Sequence, residues 1–190
     1  MIKLFHNRRK HFERLSLALA PELFRLAYWR MSNTQDAEDV VQETYLRGYR
    51  SFHTFLPETN FKAWMTKILL NVINDSLRKR SRYNEVIDRE YGHEMLDTVA
   101  DQSGAALNPE LKFTASEIRP DLMSALQCLP STLLHPLLLR ELEDFSYDQI
   151  AALLDIPVGT VMSRLFRARR TVRDKLSDTY IGNKKSVGRV

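Results

Sequence analysis

The sequence predicts an all-α protein made of two small helical domains joined by a flexible acidic linker. The chain has 190 residues, a length that allows one medium domain or two small ones. Apolar residues recur at helical spacing before residue 80 and again after residue 120. Between these regions, residues 83–120 hold eight acids and three bases and show no sustained period, which is typical of a linker.

Five segments follow from these patterns. The two outer ones are short tails, and the middle one separates the two helical domains. In chain order, we predict a basic N-terminal tail (1–10), a first domain (11–82), the linker (83–118), a second domain (119–178) and a C-terminal tail (179–190).

The first domain begins with two predicted helices. Pro21 suits the first turn of a helix that should end near Ser32 and Asn33. The next helix opens with acids, among them Asp36 and Asp39, which are favourable near the positive end of the helix dipole. The sequence therefore predicts two consecutive helices in this part of the first domain.

A loop and a long amphipathic helix complete the first domain. Residues 51–60 read as a loop, and apolar residues from Phe61 to Leu77 then recur at i, i+3, i+4, i+7 and i+8. Trp64 lies on the apolar face of this helix and is expected in the core.

The second domain carries a helix-turn-helix signature. Pro120 opens its first helix, and Pro136 should kink the next one or mark its start. Ser146 and Gln149 have the spacing of a capping box, and the turn at 155–157 leads into a basic helix. That helix can bury Val161, Leu165, Ala168, Val172 and Leu176, which leaves Thr160, Ser163, Arg164, Arg167 and Arg170 on its solvent side.

Composition and charge narrow the functional class. The single cysteine, Cys128, excludes a disulfide framework and indicates a reducing cytoplasm, and no window approaches 18 uninterrupted apolar residues, so we expect no membrane span. Residues 61–82 and 159–175 each carry six Lys or Arg against one acid. Two basic blocks on either side of an acidic stretch indicate two modules that face nucleic acid.

Catalytic chemistry has little support in the sequence. Glu38, Asp39 and Glu43 would be the metal ligands of a nuclease, but no complementary ligand spacing and no phosphate-binding glycine loop accompany them. We therefore expect a protein that is not an enzyme, with no catalytic residue, no metal and no cofactor.

Five stretches together resemble bacterial RNA polymerase sigma factors of the extracytoplasmic-function type (group 4 of the sigma-70 superfamily). They are DAEDVVQETYLR (36–47), NFKAWMTKILLNVINDSLRKR (60–80), SALQCLP (124–130), LLLRELEDFSYDQIA (137–151) and IPVGTVMSRLFRARR (156–170). The resemblance implies a cytoplasmic alternative sigma factor in a stress response. Its partners would be the β′ and β subunits of core RNA polymerase, promoter DNA and an anti-sigma factor.

The resemblance also implies three sets of binding residues. The first domain, sigma region 2, would bind core polymerase and open the −10 element, and the second, region 4, would read the −35 element. Phe52, His53 and Phe55 would line a pocket for a flipped-out base. The alternatives are that Phe52, which continues the buried stripe of its own helix, packs in the core, and that His53 has a structural role. The polymerase set is Asp36, Asp39, Gln42 and Glu43; the −10 set is His53, Asn60, Lys62, Lys67, Asn71, Asn74, Arg78 and Lys79; the −35 set is Thr160, Ser163, Arg164, Arg167 and Arg170.

Departures from the family pattern fall in the second domain. Asp144 and Asp155 stand where the family usually has glycine, and Leu134, His135 and Pro136 replace its usual arginine. Aspartate tolerates the left-handed conformation better than most residues, so the turn at Asp155 should form.

A free-standing helix-turn-helix regulator is the alternative interpretation. It accounts equally well for residues 146–176. It leaves the acidic helix at 36–47 and the basic block at 61–82 without a role.

Overall fold

The chain forms two compact units, residues 1–112 (unit 1) and 113–190 (unit 2). The computed structural model describes the backbone of residues 2–91 and 120–186, and the side chains of residues 8–83 and 120–177. All regular structure in these ranges is helical, which confirms the predicted all-α class. Apart from residues 83–91, the predicted linker lies outside the described residues.

Unit 1 contains four α-helices in its described part. Ser32 ends α2 with a left-handed φ of 59°, and the side chain of Asn33 caps α3 by accepting a hydrogen bond from the backbone N–H of Asp36 at 3.1 Å. Both ends match the sequence prediction. The helices are α1 (Ile2–Leu17), α2 (Ala20–Met31), α3 (Thr34–Ser51) and α4 (Phe61–Tyr91), with a short 3-10 helix at Phe52–Thr54 after α3.

The core of unit 1 lies where α2 and α3 pack against α4. Leu26, Met65, Leu69 and Ile73 have almost no exposed surface, and burying each such side chain stabilises the fold by about 1.5–3 kcal/mol. Gly48 of α3 sits against this core. A Cβ atom there would lie 2.9 Å from the Met65 sulfur and 3.2 Å from the Phe12 ring, so glycine permits the close approach of α1 and α4 to α3.

Three features of unit 1 differ from the sequence expectations. The chain is helical from Ile2, within the predicted tail, because Phe12 anchors α1 in the core with 4% of its surface exposed. α4 continues to Tyr91, beyond the predicted domain end at residue 82. Trp64 is only half-buried, because it packs against other aromatic rings at the rim of the core.

Unit 2 contains four α-helices in its described part. α6 starts at Ser131, so the alternative in which Pro136 marks its start is wrong. Pro136 lies inside the helix and is buried in the core. Leu134, Leu139 and Ile150 pack there with α8 and are almost fully buried. The helices are α5 (Pro120–Gln127), α6 (Ser131–Glu141), α7 (Tyr147–Leu154) and α8 (Val158–Ser186), the last running into the predicted C-terminal tail.

α7 and α8 form the predicted helix-turn-helix. The capping box is complete: Ser146 Oγ accepts from the Gln149 N–H at 3.2 Å, and Gln149 Oε1 accepts from the Ser146 N–H at 2.8 Å. Asp155 ends α7 with φ 54°, the left-handed conformation expected of it. The chain direction changes by 101° between the two helices, within the range of this motif.

No single helix among the described residues is long and apolar enough to cross a membrane. The bent pair of Tyr147–Leu154 and Val158–Ser177 passes that test only when the two helices are taken together. Its apolar side chains Ile150, Val161 and Leu165 are buried in the core of unit 2.

Candidate nucleic-acid interface

The exposed side of α8 is the candidate interface of unit 2. Val161, Leu165 and Ala168 have at most 1% of their surface exposed and fix α8 in the core. Ser163 and Arg167 therefore point away from the core and are exposed. A hydroxyl and a guanidinium on one face of a helix can donate hydrogen bonds to base edges and phosphates.

The five residues of the predicted −35 set lie on different sides of α8. Ser163, Arg167 and Arg170 lie on the outer side of α8, whereas Thr160 and Arg164 are half-buried on its flank. The Ser163 hydroxyl donates to the Thr160 carbonyl at 3.0 Å, and Arg170 Nε lies 3.8 Å from Asp174. Arg167 makes no ion pair within the described part of unit 2, which leaves its charge available.

Two apolar residues on the other flank of α8 were missed. Met162 and Phe166 expose 51% and 68% of their surface. The sequence signal was available, because a residue one position after Val161 or Leu165 is rotated about 100° away from the buried face. These side chains border an open groove of about 420 Å³ that is also lined by Tyr147, Arg169, Arg170, Arg173 and Asp174.

Arg169 serves the internal structure of unit 2. Its Nη2 and Nε lie 2.7 and 3.1 Å from Glu141 Oε1, so it joins α8 to the end of α6. The hydrogen bond that Arg169 donates to Glu141 holds the pKa of Arg169 above its usual range. Beside this pair, the Arg140 guanidinium lies 5.7 Å from the centre of the Tyr147 ring.

The candidate interface of unit 1 includes the polar side of α4. Lys67, Asn71 and Arg78 are exposed there, on the side away from the buried Met65, Leu69 and Ile73, and Lys79 is exposed beyond the buried stretch of the helix. Lys62 and Asn74 are half-buried at the margin. Six of the eight residues of the predicted −10 set thus lie on one helix.

The remaining two predicted residues flank the loop before α4. Asn60 Oδ1 accepts from the Ala63 N–H at 3.0 Å, so this side chain caps the first turn of α4. His53 is exposed, and its Nδ1 lies 3.0 Å from the Arg50 carbonyl oxygen. Both side chains therefore have local structural contacts in addition to the proposed nucleic-acid contacts.

Four rings form an aromatic cluster at this loop: Phe52, Phe55, Phe61 and Trp64. Neighbouring centroids lie 5.1 Å apart for Phe55 and Phe61 and 5.5 Å apart for Phe55 and Trp64. All four side chains are half-buried, so part of each ring faces solvent. Exposed aromatic faces beside cations are the usual means by which proteins stack unpaired bases.

The acidic strip of α3, formed by Asp36, Asp39, Gln42 and Glu43, divides into a paired and an exposed part. Asp36 Oδ2 lies 3.1 Å from Arg80 Nη1, and Arg47 bridges Glu43 and Asp75, each at 2.7 Å. The hydrogen bond from Arg47 holds the pKa of Asp75 below its usual range. The Glu43–Arg47 spacing of four residues could have been recognised in the sequence, whereas the contacts with α4 could not.

The exposed part of the strip consists of Asp39 and Gln42. Neither makes an ion pair or a side-chain hydrogen bond within residues 8–83. These two side chains are available to a partner without breaking an internal contact.

The described residues were compared with the arrangement that a metal site requires. Within residues 8–83 and 120–177, no group of three or more His, Cys, Asp and Glu side chains is placed to hold a metal ion. The three acids considered as nuclease ligands, Glu38, Asp39 and Glu43, are therefore not gathered with further ligands in these ranges.

A helical unit with a basic helix and an aromatic cluster, together with a helix-turn-helix unit, is the architecture of a DNA-binding protein. The family description "Sigma-70 region 2" matches residues 15–83, and "Sigma-70, region 4" matches residues 119–172. The chain belongs to the extracytoplasmic-function (ECF) family of RNA polymerase sigma factors.

Relatives and solved structures agree with this assignment. The chain is 34% identical over 145 residues to the ECF sigma-E factor of Salmonella typhimurium, covering 74% of each protein. It is 36% identical over 159 residues to SigE of Mycolicibacterium smegmatis, covering 83% of this chain and 58% of that protein. Among solved structures, the sigma factor RpoE from Bartonella quintana, in complex with the anti-sigma factor NepR, matches with a TM-score of 0.69 and 28% identity, covering 88% of this chain and 98% of the other.

Proposed function

We propose that this alternative sigma factor binds core RNA polymerase through α3, the −10 element through unit 1 and the −35 element through α8. The observation that carries the proposal is the presence, in unit 1, of an acidic strip on α3 and an exposed basic side on α4. A helix-turn-helix regulator needs neither surface. Family membership supplies the assignment of each surface to its partner.

The −35 contacts are proposed for the outer side of α8. Ser163 and Arg167 lie opposite the buried residues and can enter a major groove, where arginine donates two hydrogen bonds to a guanine edge. Arg170 follows one turn further along and is placed for a phosphate. Thr160 and Arg164, on the flank, are proposed for the edge of the same interface.

The −10 contacts are proposed for α4 and the aromatic cluster. Lys67, Arg78 and Lys79 can hold the phosphates of a single strand, and Asn71 and Asn74 can hydrogen-bond exposed base edges. Phe52 and Phe55, which stack with their rings 8° from parallel, form one wall on which a flipped base can stack, next to His53. Asn60 immediately precedes α4, and Lys62 lies in its first turn.

Core polymerase is proposed to bind the acidic strip of α3, namely Asp36, Asp39, Gln42 and Glu43. An acidic surface repels DNA phosphates, so a protein partner with basic groups is the physically consistent occupant. By family resemblance, the partner is the β′ subunit, with β contacts elsewhere on the protein.

Run-off transcription with purified core polymerase tests the proposal. We expect transcripts from a template with a GGAA-type −35 element when this chain is added, and none from core polymerase alone. Asp39→Lys should remove both polymerase binding and transcription, because it reverses a charge on the exposed part of the strip. Glu58→Lys, in the exposed loop before α4, is a matched charge reversal outside the strip and should retain polymerase binding.

Two results would reject the proposal. A chain that directs no core-dependent transcript from any tested promoter is not acting as a sigma factor. Tight, sequence-specific binding to duplex DNA without polymerase, combined with no polymerase binding, would establish the free-standing regulator instead.

An anti-sigma factor is the proposed regulator of this activity, in the setting of a stress response. The structurally similar RpoE of Bartonella quintana was solved with the anti-sigma factor NepR. Affinity purification from native cells should recover core polymerase and one small regulatory protein. We propose that all of these interactions take place in the cytoplasm, where polymerase and DNA are found.

A further inference from the structure

We infer that the outer face of α1 is an additional binding surface for the phosphate backbone of promoter DNA, adjacent to the aromatic cluster. The inference rests on the proposed function, because it places nucleic acid at that cluster. It concerns residues outside all three proposed binding sets. Most of α1 also lies before residue 15, where the match to sigma region 2 begins.

α1 is the most basic of the first three helices. Residues 2–17 contain five Lys or Arg and one acid, Glu13. α3, by contrast, opens with acids and carries the acidic strip. The charge of unit 1 is thus divided between helices, which indicates that α1 and α3 face different partners.

The basic residues of α1 occupy the side opposite its anchor. Phe12 and Ser16 are buried with 4% and 3% exposure, whereas Lys10 and Arg14 are exposed. Each of the latter is two positions from Phe12, which on an α-helix is a rotation of about 160–200°. Neither makes an ion pair within residues 8–83, so both charges are available to an anion.

Aromatic contacts hold α1 directly against the proposed base-binding wall. The Phe12 ring lies 5.2 Å from Phe52 and 6.2 Å from Phe61, and the His11 ring lies 5.7 Å from Phe52. On the same side, Arg8 Nη2 donates to the Tyr49 carbonyl oxygen at 3.4 Å. A strand whose base stacks on the cluster would therefore pass close to α1.

The same contacts favour DNA over a membrane surface. An interfacial amphipathic helix must insert a free apolar face between lipids. Phe12, the large apolar side chain buried in the described part of α1, is already occupied by α3 and the cluster. Beside Lys10 and Arg14, α1 exposes one large apolar side chain in residues 8–17, Leu17, which by itself is not a face that could insert between lipids. The two exposed cations suit phosphates.

An internal ion pair on α1 provides a matched control. Arg9 Nε lies 2.7 Å from Glu13 Oε1, one turn away, and this contact holds the pKa of Arg9 above its usual range. The double variant Arg9→Gln/Glu13→Gln removes this pair without changing the net charge. Lys10→Gln/Arg14→Gln removes two charges that have no such partner.

The test measures how salt affects binding of the holoenzyme, the full chain with core polymerase, to a fluorescent promoter fragment with an unpaired −10 region. Neutralised phosphates set the slope of log K against log salt, at about 0.7–0.9 per contact. We expect Lys10→Gln/Arg14→Gln to reduce that slope by about 1.4–1.8, and the control double variant to leave it unchanged. Circular dichroism checks that both variants melt like the parent.

The outcomes separate this inference from the proposed function. An unchanged slope for Lys10→Gln/Arg14→Gln, with promoter binding intact, overturns the inference and leaves the proposed function standing. Loss of binding to vesicles of anionic phospholipid, with an unchanged slope on DNA, would assign α1 to membranes and also overturn it. Absence of promoter binding by the parent holoenzyme would instead reject the proposed function.

Discussion

The two units treat their exposed charges differently. In unit 1, Asp36 is paired with Arg80, and Glu43 with Arg47, so half of the acidic strip is already neutralised by cations of the same unit. In unit 2, Arg167 on the exposed side of α8 makes no ion pair in the described part of the chain. A protein that binds Asp36 or Glu43 must compete with these internal pairs, whereas DNA can contact Arg167 without breaking one.

The two units are held together by the same kinds of contact. Unit 2 has the capping box at Ser146 and an ion pair between Arg169 and Glu141, which are 28 positions apart. Unit 1 has the Asn33 cap and an ion pair between Arg47 and Asp75, also 28 positions apart. Substitutions at a cap or in the core should therefore weaken either unit.

Core truncation gives the largest expected effect and tests whether the units are independent. Leu139→Ala should cost about 2–5 kcal/mol of unfolding free energy, since the removed side chain is fully buried in unit 2. Both tryptophans, Trp29 and Trp64, lie in unit 1. In urea, Leu139→Ala should shift the helical circular dichroism transition and leave the tryptophan fluorescence transition in place; a shift of both would contradict independence.

The proposed DNA contacts on the exposed side of α8 are tested by comparing substitutions of two arginines. Arg167→Ala should weaken specific over non-specific DNA binding by about 1–3 kcal/mol if Arg167 contacts a base. Arg164→Ala should have a smaller effect, because that side chain is half-buried on the flank. Fluorescence anisotropy with matched and scrambled −35 duplexes measures both, and a larger loss for Arg164→Ala would contradict the exposed-face assignment.

The packing of unit 1 predicts a dependence on alkaline pH. Burial, and then the charge of Glu22, raise the pKa of Tyr45 to about 12, while its hydroxyl donates to the Ser16 carbonyl oxygen at 3.2 Å. In the unfolded chain, Tyr45 ionises near the ordinary tyrosine pKa of about 10. Its contribution to the free energy of unfolding is therefore complete below pH 10 and is lost as the pH rises to about 12.

Tyr45→Phe should remove this part of the pH dependence. The expected difference reaches about 2 kcal/mol at most, because the side chain is partly exposed and solvent reduces the effect. Tryptophan fluorescence in urea between pH 9 and 12 measures it. Parallel pH profiles for the parent and the variant would contradict a buried, neutral Tyr45.

The local signals of unit 2 predict a moderate effect at the cap of α7. Ser146→Ala should cost about 1 kcal/mol, because the Gln149 N–H loses its acceptor. Ser146→Asp keeps an acceptor and is the matched control. Thermal melting followed by circular dichroism compares them, and equal melting temperatures for Ser146→Ala and Ser146→Asp would show that the cap contributes nothing.

The smallest expected effect concerns the paired part of the acidic strip. A double-mutant cycle on Asp36 and Arg80 should give a coupling of about 0.2–1 kcal/mol, since both side chains are at least one-third exposed. In polymerase binding, Arg80→Gln should strengthen the interaction slightly by freeing Asp36. Weaker binding would mean that Arg80 itself contacts the polymerase.

Much of the fold could be predicted from the sequence, because its signals are local. Pro21 favours a helix start through its fixed φ, and Asn33 and Ser146 mark helix starts through hydrogen bonds to neighbouring residues. The spacing from Phe61 to Leu77 defines a helix by itself. The α7–α8 motif followed from the same kind of information. α1 was not predicted, because Phe12, which anchors the described part of the helix, contacts partners that are 37 to 49 residues away in the chain.

The sequence by itself determined the two helical regions, the helix-turn-helix and the charge of each surface, since periodicity, caps and charge are properties of short segments. Only the tertiary structure decided which charges remain available. It paired Asp36 with Arg80 and Arg169 with Glu141, and it left Arg167 without an ion pair in the described part of unit 2. These outcomes depend on how helices pack against one another, and helix packing brings together residues that no local pattern connects.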